Sequence, residues 1–160
     1  MSISKHAIKA ALSDWIAGEN STHGYWITVD ALHVDKKKPD ALQFEQTVGK
    51  FTNRLNNFCY GRAYRRHEKR LKIFGAVEIG NFTDRPHAHL LVLHDGDVQR
   101  GFHEVERKAR DAWYELVGAR GNIYSNLVDV QPIGDARSRL QYAIKQFDPH
   151  NDKYCHLLAL

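Results

Sequence analysis

The sequence predicts an α+β fold in a single domain, and two observations support this. The chain has 160 residues, a length that suits one domain with its own core. Helix-like and strand-like stretches do not alternate regularly, because a hairpin-sized loop joins two strands at the centre. No apolar stretch is long enough to cross a bilayer, and neither a signal peptide nor a CxxC pair is present. We therefore expect a cytoplasmic protein with no membrane partner.

Four helices are predicted where apolar residues recur at intervals of three and four. The second gives the clearest signal, because Asp40 can cap its start and its apolar face continues for several turns. Gly118 ends the third helix, and the fourth must stop before Pro149. The helical patterns cover residues 4–17, 44–58, 102–116 and 140–147.

Four strands are predicted from runs rich in β-branched and aromatic residues, over residues 25–31, 71–79, 87–93 and 123–130. Residues 81–84 would join the second strand to the third as a hairpin. The order α, then β-α-β-β-α-β-α, is that of ferredoxin-like α+β folds, here with about four to five antiparallel strands flanked by helices. Doubly wound nucleotide-binding folds are disfavoured, because neither GxGxxG nor GxxxxGK[ST] occurs.

Two histidines in the third strand are the sharpest chemical feature. His87 and His89 alternate along the strand, so both side chains emerge on the same face, about 7 Å apart. A four-residue turn over 81–84 would place Glu78 directly opposite His87, whereas a slip of one residue would turn Glu78 away. Two imidazoles and one carboxylate predict a site for a divalent metal ion. Hydrogen-bonded histidines without a metal are the alternative interpretation.

A tyrosine of the final helix lies outside its apolar stripe. Tyr142 is about 200° around the helix from Leu140, among polar and basic neighbours three and four residues away. A cation near a phenol favours the phenolate and also attracts phosphate, so Tyr142 is a candidate nucleophile. From the helix alone, an amphipathic surface tyrosine is the simpler interpretation.

A basic stretch between positions 62 and 72 contains six cations, one glutamate and interleaved tyrosine. Basic and aromatic residues together suit phosphate neutralisation and base stacking, although a solvated surface is an equal alternative. The net charge of +4 also favours a polyanionic partner. The expected contacts to DNA are Arg62, Arg65, Arg66 and Arg139.

These motifs together resemble those of the HUH endonuclease superfamily. The segment His87-Ala88-His89 resembles the His-hydrophobic-His motif of that family. The segment Tyr142-Ala143-Ile144-Lys145 resembles the YxxK motif of its single-tyrosine rolling-circle replication initiators, and residues 25–30 loosely resemble their first motif. The resemblance covers residues 24–147, which would be the catalytic core, and leaves residues 148–160 as a short C-terminal tail.

The resemblance implies an endonuclease that nicks and rejoins single-stranded DNA at an origin or hairpin. His87, His89 and Glu78 would bind Mg²⁺ or Mn²⁺, Tyr142 would form a 5′-phosphotyrosine, and Lys145 would position the phosphate. Initiators commonly carry a helicase or oligomerisation domain that 160 residues cannot accommodate. We therefore expect a monomer or weak homo-oligomer: either a minimal initiator that uses a host helicase or one domain of a longer protein.

Three other functions stay open. Gln146 completes a Tyr-x-x-x-Gln pattern that is similar to the small HUH transposases of the IS200/IS605 type, which would make Gln146 the third metal ligand. A non-catalytic module that binds single-stranded nucleic acid would use aromatic residues of the sheet and leave the histidine pair without a purpose. A non-haem iron oxygenase also uses two histidines and a carboxylate, but usually on an all-β scaffold.

Overall fold

A computed structural model shows an antiparallel sheet flanked by helices. It describes residues 23–31, 40–79, 85–119, 126–134, 138–139 and 155–159, and before these only positions 7, 10, 11, 14 and 18. The elements in chain order are β1 (His23–Asp30), α1 (Ala41–Tyr60), α2 (Arg62–Arg66), β2 (Lys72–Ile79), β3 (Pro86–His94), α3 (Phe102–Leu116), β4 (Val128–Pro132) and β5 (Cys155–Ala159). The strand order is β4-β1-β3-β2-β5, with every neighbouring pair antiparallel. The predicted α+β class is confirmed.

The main core lies between one face of the sheet and the two long helices. Alternate residues of the central strands point into it, and Ile27 and Leu90 are completely buried there. On the helical side, the ring of Trp113 meets those of Phe44 and Phe51 edge-on, with centroids 5.6 and 5.4 Å apart. Because side chains alternate along a strand, the other residues of β1, β2 and β3 face the opposite side of the sheet.

Helix α1 is fixed at both ends. Its cap is the predicted one, because the Asp40 carboxylate accepts a 2.7 Å hydrogen bond from the Gln43 N–H. Near its end, the buried Asn56 side chain accepts a 2.7 Å hydrogen bond from the Leu71 N–H and donates to the Thr52 carbonyl. Asn56 therefore ties the end of α1 to the start of β2, and α2 lies at that end of the sheet.

Two predicted elements differ from the structure. The strand expected over 123–130 begins at Val128 and ends at Pro132, a position that an edge strand tolerates. Within the C-terminal tail expected over 148–160, Cys155–Ala159 form an additional strand, β5, along the outer edge of β2. Five residues without clear alternation give no strand signal, and the hydrogen bonds of β5 depend on an edge that exists only in the folded sheet.

Several predictions fall outside the described residues. They include the turn over 81–84 and the part of the final helix that contains Tyr142, Lys145 and Gln146. The described positions of the opening helix are helical, as are residues 138 and 139. None of the helices in the described part of the chain has the length and apolar character to cross a membrane.

Candidate metal centre

The three predicted metal ligands meet at one end of the sheet. The register of β2 and β3 pairs Glu78 with His87, which confirms the pairing predicted from a four-residue turn. His89 follows two residues later and therefore lies on the same face as His87. On the other side of β3, Asp30 of β1 is the register partner of His87. The central strand thus presents its histidines between two acidic residues.

The ligand atoms are close enough to share one ion. One candidate atom from each of Glu78, His87 and His89 lies within 4.8 Å of the other two. His87 Nε2 is 3.3 Å from Glu78 Oε2. Two ligands about 2.0 to 2.2 Å from a common ion are separated by roughly this distance. This group could hold a metal ion after small rotations of the side chains.

Glu78 shows most directly that a cation fits this site. Its side chain is buried, and its Oε1 atom accepts no hydrogen bond from the described part of the chain. A buried polar atom without a partner costs about 1 to 3 kcal/mol, and more if it is charged. A bound cation would compensate this carboxylate, and two imidazoles with one carboxylate form a donor set for divalent metals. The residues present therefore fit a metal ion.

Both histidine rings are oriented by contacts at Nδ1. His87 Nδ1 lies 3.4 Å from the carbonyl oxygen of Arg85, which can only accept a hydrogen bond. His89 Nδ1 lies 3.0 Å from Thr28 Oγ1, and the ring of Trp26 stacks on His89 with centroids 5.5 Å apart. With each Nδ1–H donating to its oxygen, the Nε2 atom of each ring is left for a metal ion.

The two histidines differ in their affinity for protons. The hydrogen bond to Glu78 raises the pKa of His87; burial opposes this effect, and the Arg85 carbonyl and the nearby carboxylates reinforce it. Burial lowers the pKa of His89, with the charge of His87 acting in the same direction and Glu78 opposing both. Burial also raises the pKa of Asp30. His87 therefore binds a proton more readily than His89 does, and a metal ion at Nε2 would compete with that proton.

Arg139 is the predicted DNA contact that lies near this centre. Its guanidinium is 5.6 Å from the centroid of the Trp26 ring and donates a 2.7 Å hydrogen bond to Gln131 Oε1. Gln131 in turn donates to Asp129 at 2.7 Å. Because Trp26 stacks on His89, a continuous series of contacts connects Arg139 to the metal ligands.

The other three predicted DNA contacts lie at the opposite end of the sheet. Arg62, Arg65 and Arg66 are exposed on α2, which precedes the start of β2. Lys72 begins that strand and Glu78 lies six residues later, a distance of about 20 Å along the strand. The structure therefore does not bring these arginines to the metal ligands.

Sequence reasoning missed the residues that support His89. Thr28 and Trp26 belong to β1, and only the pairing of β1 with β3 brings them to the histidine. The alternation of β1 places both on the same face as Asp30. That alternation, combined with the strand order of a ferredoxin-like sheet, is the signal that could have found them.

No protein-family model matches this chain, and no match is found among curated proteins or solved structures. The chemistry of the site is therefore inferred from its own residues.

Proposed function

We propose that this protein is a metal-dependent HUH endonuclease that nicks and rejoins single-stranded DNA, acting as a rolling-circle replication initiator. The observation that carries the proposal is the convergence of His87, His89 and the buried Glu78 on one face of the sheet. The order β4-β1-β3-β2, with a long helix after β1 and another after β3, supports a ferredoxin-like fold of the kind that HUH enzymes use.

In this proposal, His87, His89 and Glu78 would hold Mg²⁺ or Mn²⁺. When bound, such an ion would supply Lewis-acid activation of a phosphodiester. The chain itself positions the ligands. Thr28 and Trp26 fix the ring of His89, the Arg85 carbonyl orients His87, and the burial of Glu78 keeps its carboxylate beside both histidines.

Tyr142 is the proposed nucleophile. It follows Arg139 by three residues in the sequence. The contact of Arg139 with Trp26, whose ring stacks on His89, supports this choice of nucleophile. The tyrosine oxygen would bond to phosphorus while the bond to the 3′-oxygen breaks, and the proton lost by the phenol is balanced by one gained by the leaving oxygen. Lys145 would position the phosphate.

Single-stranded DNA is the proposed substrate, and a host helicase is the further partner that a minimal initiator would need. The oxygenase alternative has less support, because this sheet is flanked by helices rather than belonging to an all-β scaffold. The transposase alternative uses the same bond chemistry and differs in assigning the third ligand to Gln146. Substitution of Glu78 separates these two HUH interpretations.

The test is the formation of a covalent adduct with a labelled pool of single-stranded oligonucleotides in Mn²⁺, detected on a denaturing gel. We expect Tyr142→Phe to bind metal and DNA as the wild type does yet form no adduct, because only the attacking oxygen is removed. Lys145→Ala should slow adduct formation without abolishing it. Peptide mapping should recover the 5′-phosphate on the segment Leu140-Gln141-Tyr142-Ala143.

The matched control is Tyr154→Phe, which removes a hydroxyl from a tyrosine elsewhere in the chain and should leave adduct formation unchanged. An adduct that persists in Tyr142→Phe would refute the assignment of the nucleophile. The absence of an adduct with any single-stranded DNA, despite bound Mn²⁺, would refute the proposed function as a whole.

A further inference from the structure

A cationic cleft lies on the helical side of the sheet, where α1 ends. Its volume is about 830 Å³, and its walls come from α1, α2, the segments before β2 and after β3, and α3. Phe58, Cys59 and Tyr60 lie in the wall formed by the end of α1. Four cations and two acids line the cleft: Arg54, Lys69, Arg100, Lys108, Asp97 and Glu115.

Two of the four cations are neutralised within the cleft. Arg54 pairs with Glu115 at 3.1 Å, and Lys69 pairs with Asp97 at 2.8 Å. Lys108 has no ion-pair partner among the residues that the structure describes. The cleft therefore has an excess of two positive charges, Arg100 and Lys108.

Arg100 is held in place by an aromatic ring rather than by a strong ion pair. Its guanidinium lies 5.0 Å from the centroid of the Phe58 ring. Its one acidic neighbour is Glu104 at 3.9 Å, an exposed pair in which the other carboxylate oxygen of Glu104 accepts the Gly101 N–H. A guanidinium held over an aromatic ring keeps a planar set of donors for phosphate oxygens.

We propose that this cleft binds the phosphate backbone of the DNA that flanks the cleaved phosphate. The inference rests on the proposed function only in taking DNA as the substrate. Gly61 and Ala63 also line the cleft, so the exposed arginines of α2 extend its positive surface. The side chains of Arg54, Lys69 and Arg100 are partly exposed, and such an open cationic groove suits a polymer that enters and leaves.

The position of the cleft determines which part of the DNA it would bind. The cleft adjoins the end of α1, which Asn56 ties to the start of β2, and Glu78 is about 20 Å further along that strand. The metal ligands project from the face of the sheet opposite the helices, so the DNA must also pass around the sheet. At a stacked spacing of about 3.4 Å per nucleotide, this path is at least about six nucleotides long. The cleft would therefore bind backbone outside the reacting dinucleotide and would contribute to affinity rather than to bond cleavage.

The test is the salt dependence of binding to a labelled single-stranded oligonucleotide of about 30 nucleotides, measured by fluorescence anisotropy in EDTA. We expect the double variant Arg100→Gln/Lys108→Gln to bind about tenfold more weakly at low salt. The slope of log K against log salt should fall by about 1.4, which corresponds to two lost phosphate contacts on a single strand. The control, Arg107→Gln/Arg110→Gln, removes two positive charges from α3 outside the cleft and should change the slope much less.

Equal slopes for the cleft variant and its control would overturn the proposal. If the double variant fails to fold, Lys108→Gln alone provides the test, because it removes no ion pair among the described residues and should lower the slope by about 0.7. Binding in EDTA is independent of metal-dependent cleavage, so the two proposals can fail separately. A reduced slope in a protein that forms no covalent adduct would refute the endonuclease and leave the cleft as a DNA-binding site.

Discussion

At one end of the sheet, Glu78, His87 and His89 are largely buried and are held by contacts with one another and with β1. At the other end, Arg62, Arg65 and Arg66 lie exposed on a single turn of helix. Both ends suit a phosphodiester substrate, but the first offers a fixed set of ligand atoms and the second a diffuse positive surface. Under the proposed function, the two ends would contact the same polymer in two different ways.

Burial determines how each end responds to substitution. A buried charge that loses its partner costs several kcal/mol, whereas an exposed ion pair contributes about 0 to 1 kcal/mol. Changes at the metal end should therefore have large, nearly all-or-none effects. Changes at the basic end should have graded effects that depend on salt concentration.

The largest expected effect comes from removing a histidine ligand. His87→Ala or His89→Ala should abolish metal-dependent cleavage, because only two protein ligands would remain at an already open site. Glu78→Ala should weaken Mn²⁺ binding at least about tenfold. Isothermal titration with Mn²⁺ measures these affinities, and a thermal melt without metal checks that each variant is folded.

Substitution of Glu78 also tests whether metal binding depends on this residue while DNA binding does not. If Glu78→Ala binds Mn²⁺ as tightly as the wild type, the third ligand lies elsewhere, and Gln146 is the next candidate. The variant Gln146→Ala would then be expected to lose the affinity that Glu78→Ala keeps. Neither substitution should alter the salt dependence of DNA binding in EDTA, because that measurement does not involve the metal ion.

Metal binding at the buried end should depend on pH. The pKa of His87 is raised above its ordinary value of 6.5, and a metal ion binds only the neutral ring. Apparent Mn²⁺ affinity should therefore fall about tenfold per pH unit below the raised pKa and level off above it. His89 should contribute less to this dependence than His87, because burial lowers its pKa. Titrations at several pH values, with proton release followed in two buffers, measure the effect.

The raised pKa of His87 should also make the stability of the metal-free protein depend on pH. In the metal-free protein, protonated His87 contributes stability fully below pH 6.5, and this contribution is lost as pH rises through the raised pKa. Glu78→Gln removes the carboxylate that raises the pKa of His87. The loss of stability with rising pH should therefore occur at lower pH in this variant. A Mn²⁺ affinity that does not change below the raised pKa would contradict the assignment of His87 as a ligand.

An intermediate effect is expected from a residue that supports a ligand. Thr28→Val keeps the shape of the side chain but removes the oxygen that lies 3.0 Å from His89 Nδ1. We expect Mn²⁺ affinity to fall about tenfold, because the orientation of the ring is no longer fixed. Thr52→Val is the matched control, since it removes a hydroxyl that bonds the Gly49 carbonyl in α1. Equal Mn²⁺ affinities for the two variants would show that Thr28 has no positioning role.

The difference between the two ends also explains which features could be predicted from the sequence. His87 and Glu78 belong to neighbouring strands joined by a short connection, so local alternation and loop length were enough to predict their pairing. Thr28 and His89 are 61 residues apart, and their contact depends on the pairing of β1 with β3. The cleft is likewise lined by residues of both α1 and α3, which come together through packing that no local sequence pattern reveals.

The smallest effect is expected from the exposed basic end. Replacing Arg62, Arg65 and Arg66 together by glutamine should lower the slope of log K against log salt by about 2, because three phosphate contacts to a single strand are lost. Stability should change little, because the side-chain contact seen here, Arg65 with Asn57 at 3.2 Å, is exposed. Cleavage at saturating DNA should also change little, because these residues lie about 20 Å from Glu78. An unchanged salt slope would show that α2 is only a solvated surface, and DNA contacts would then be confined to the metal end and the cleft.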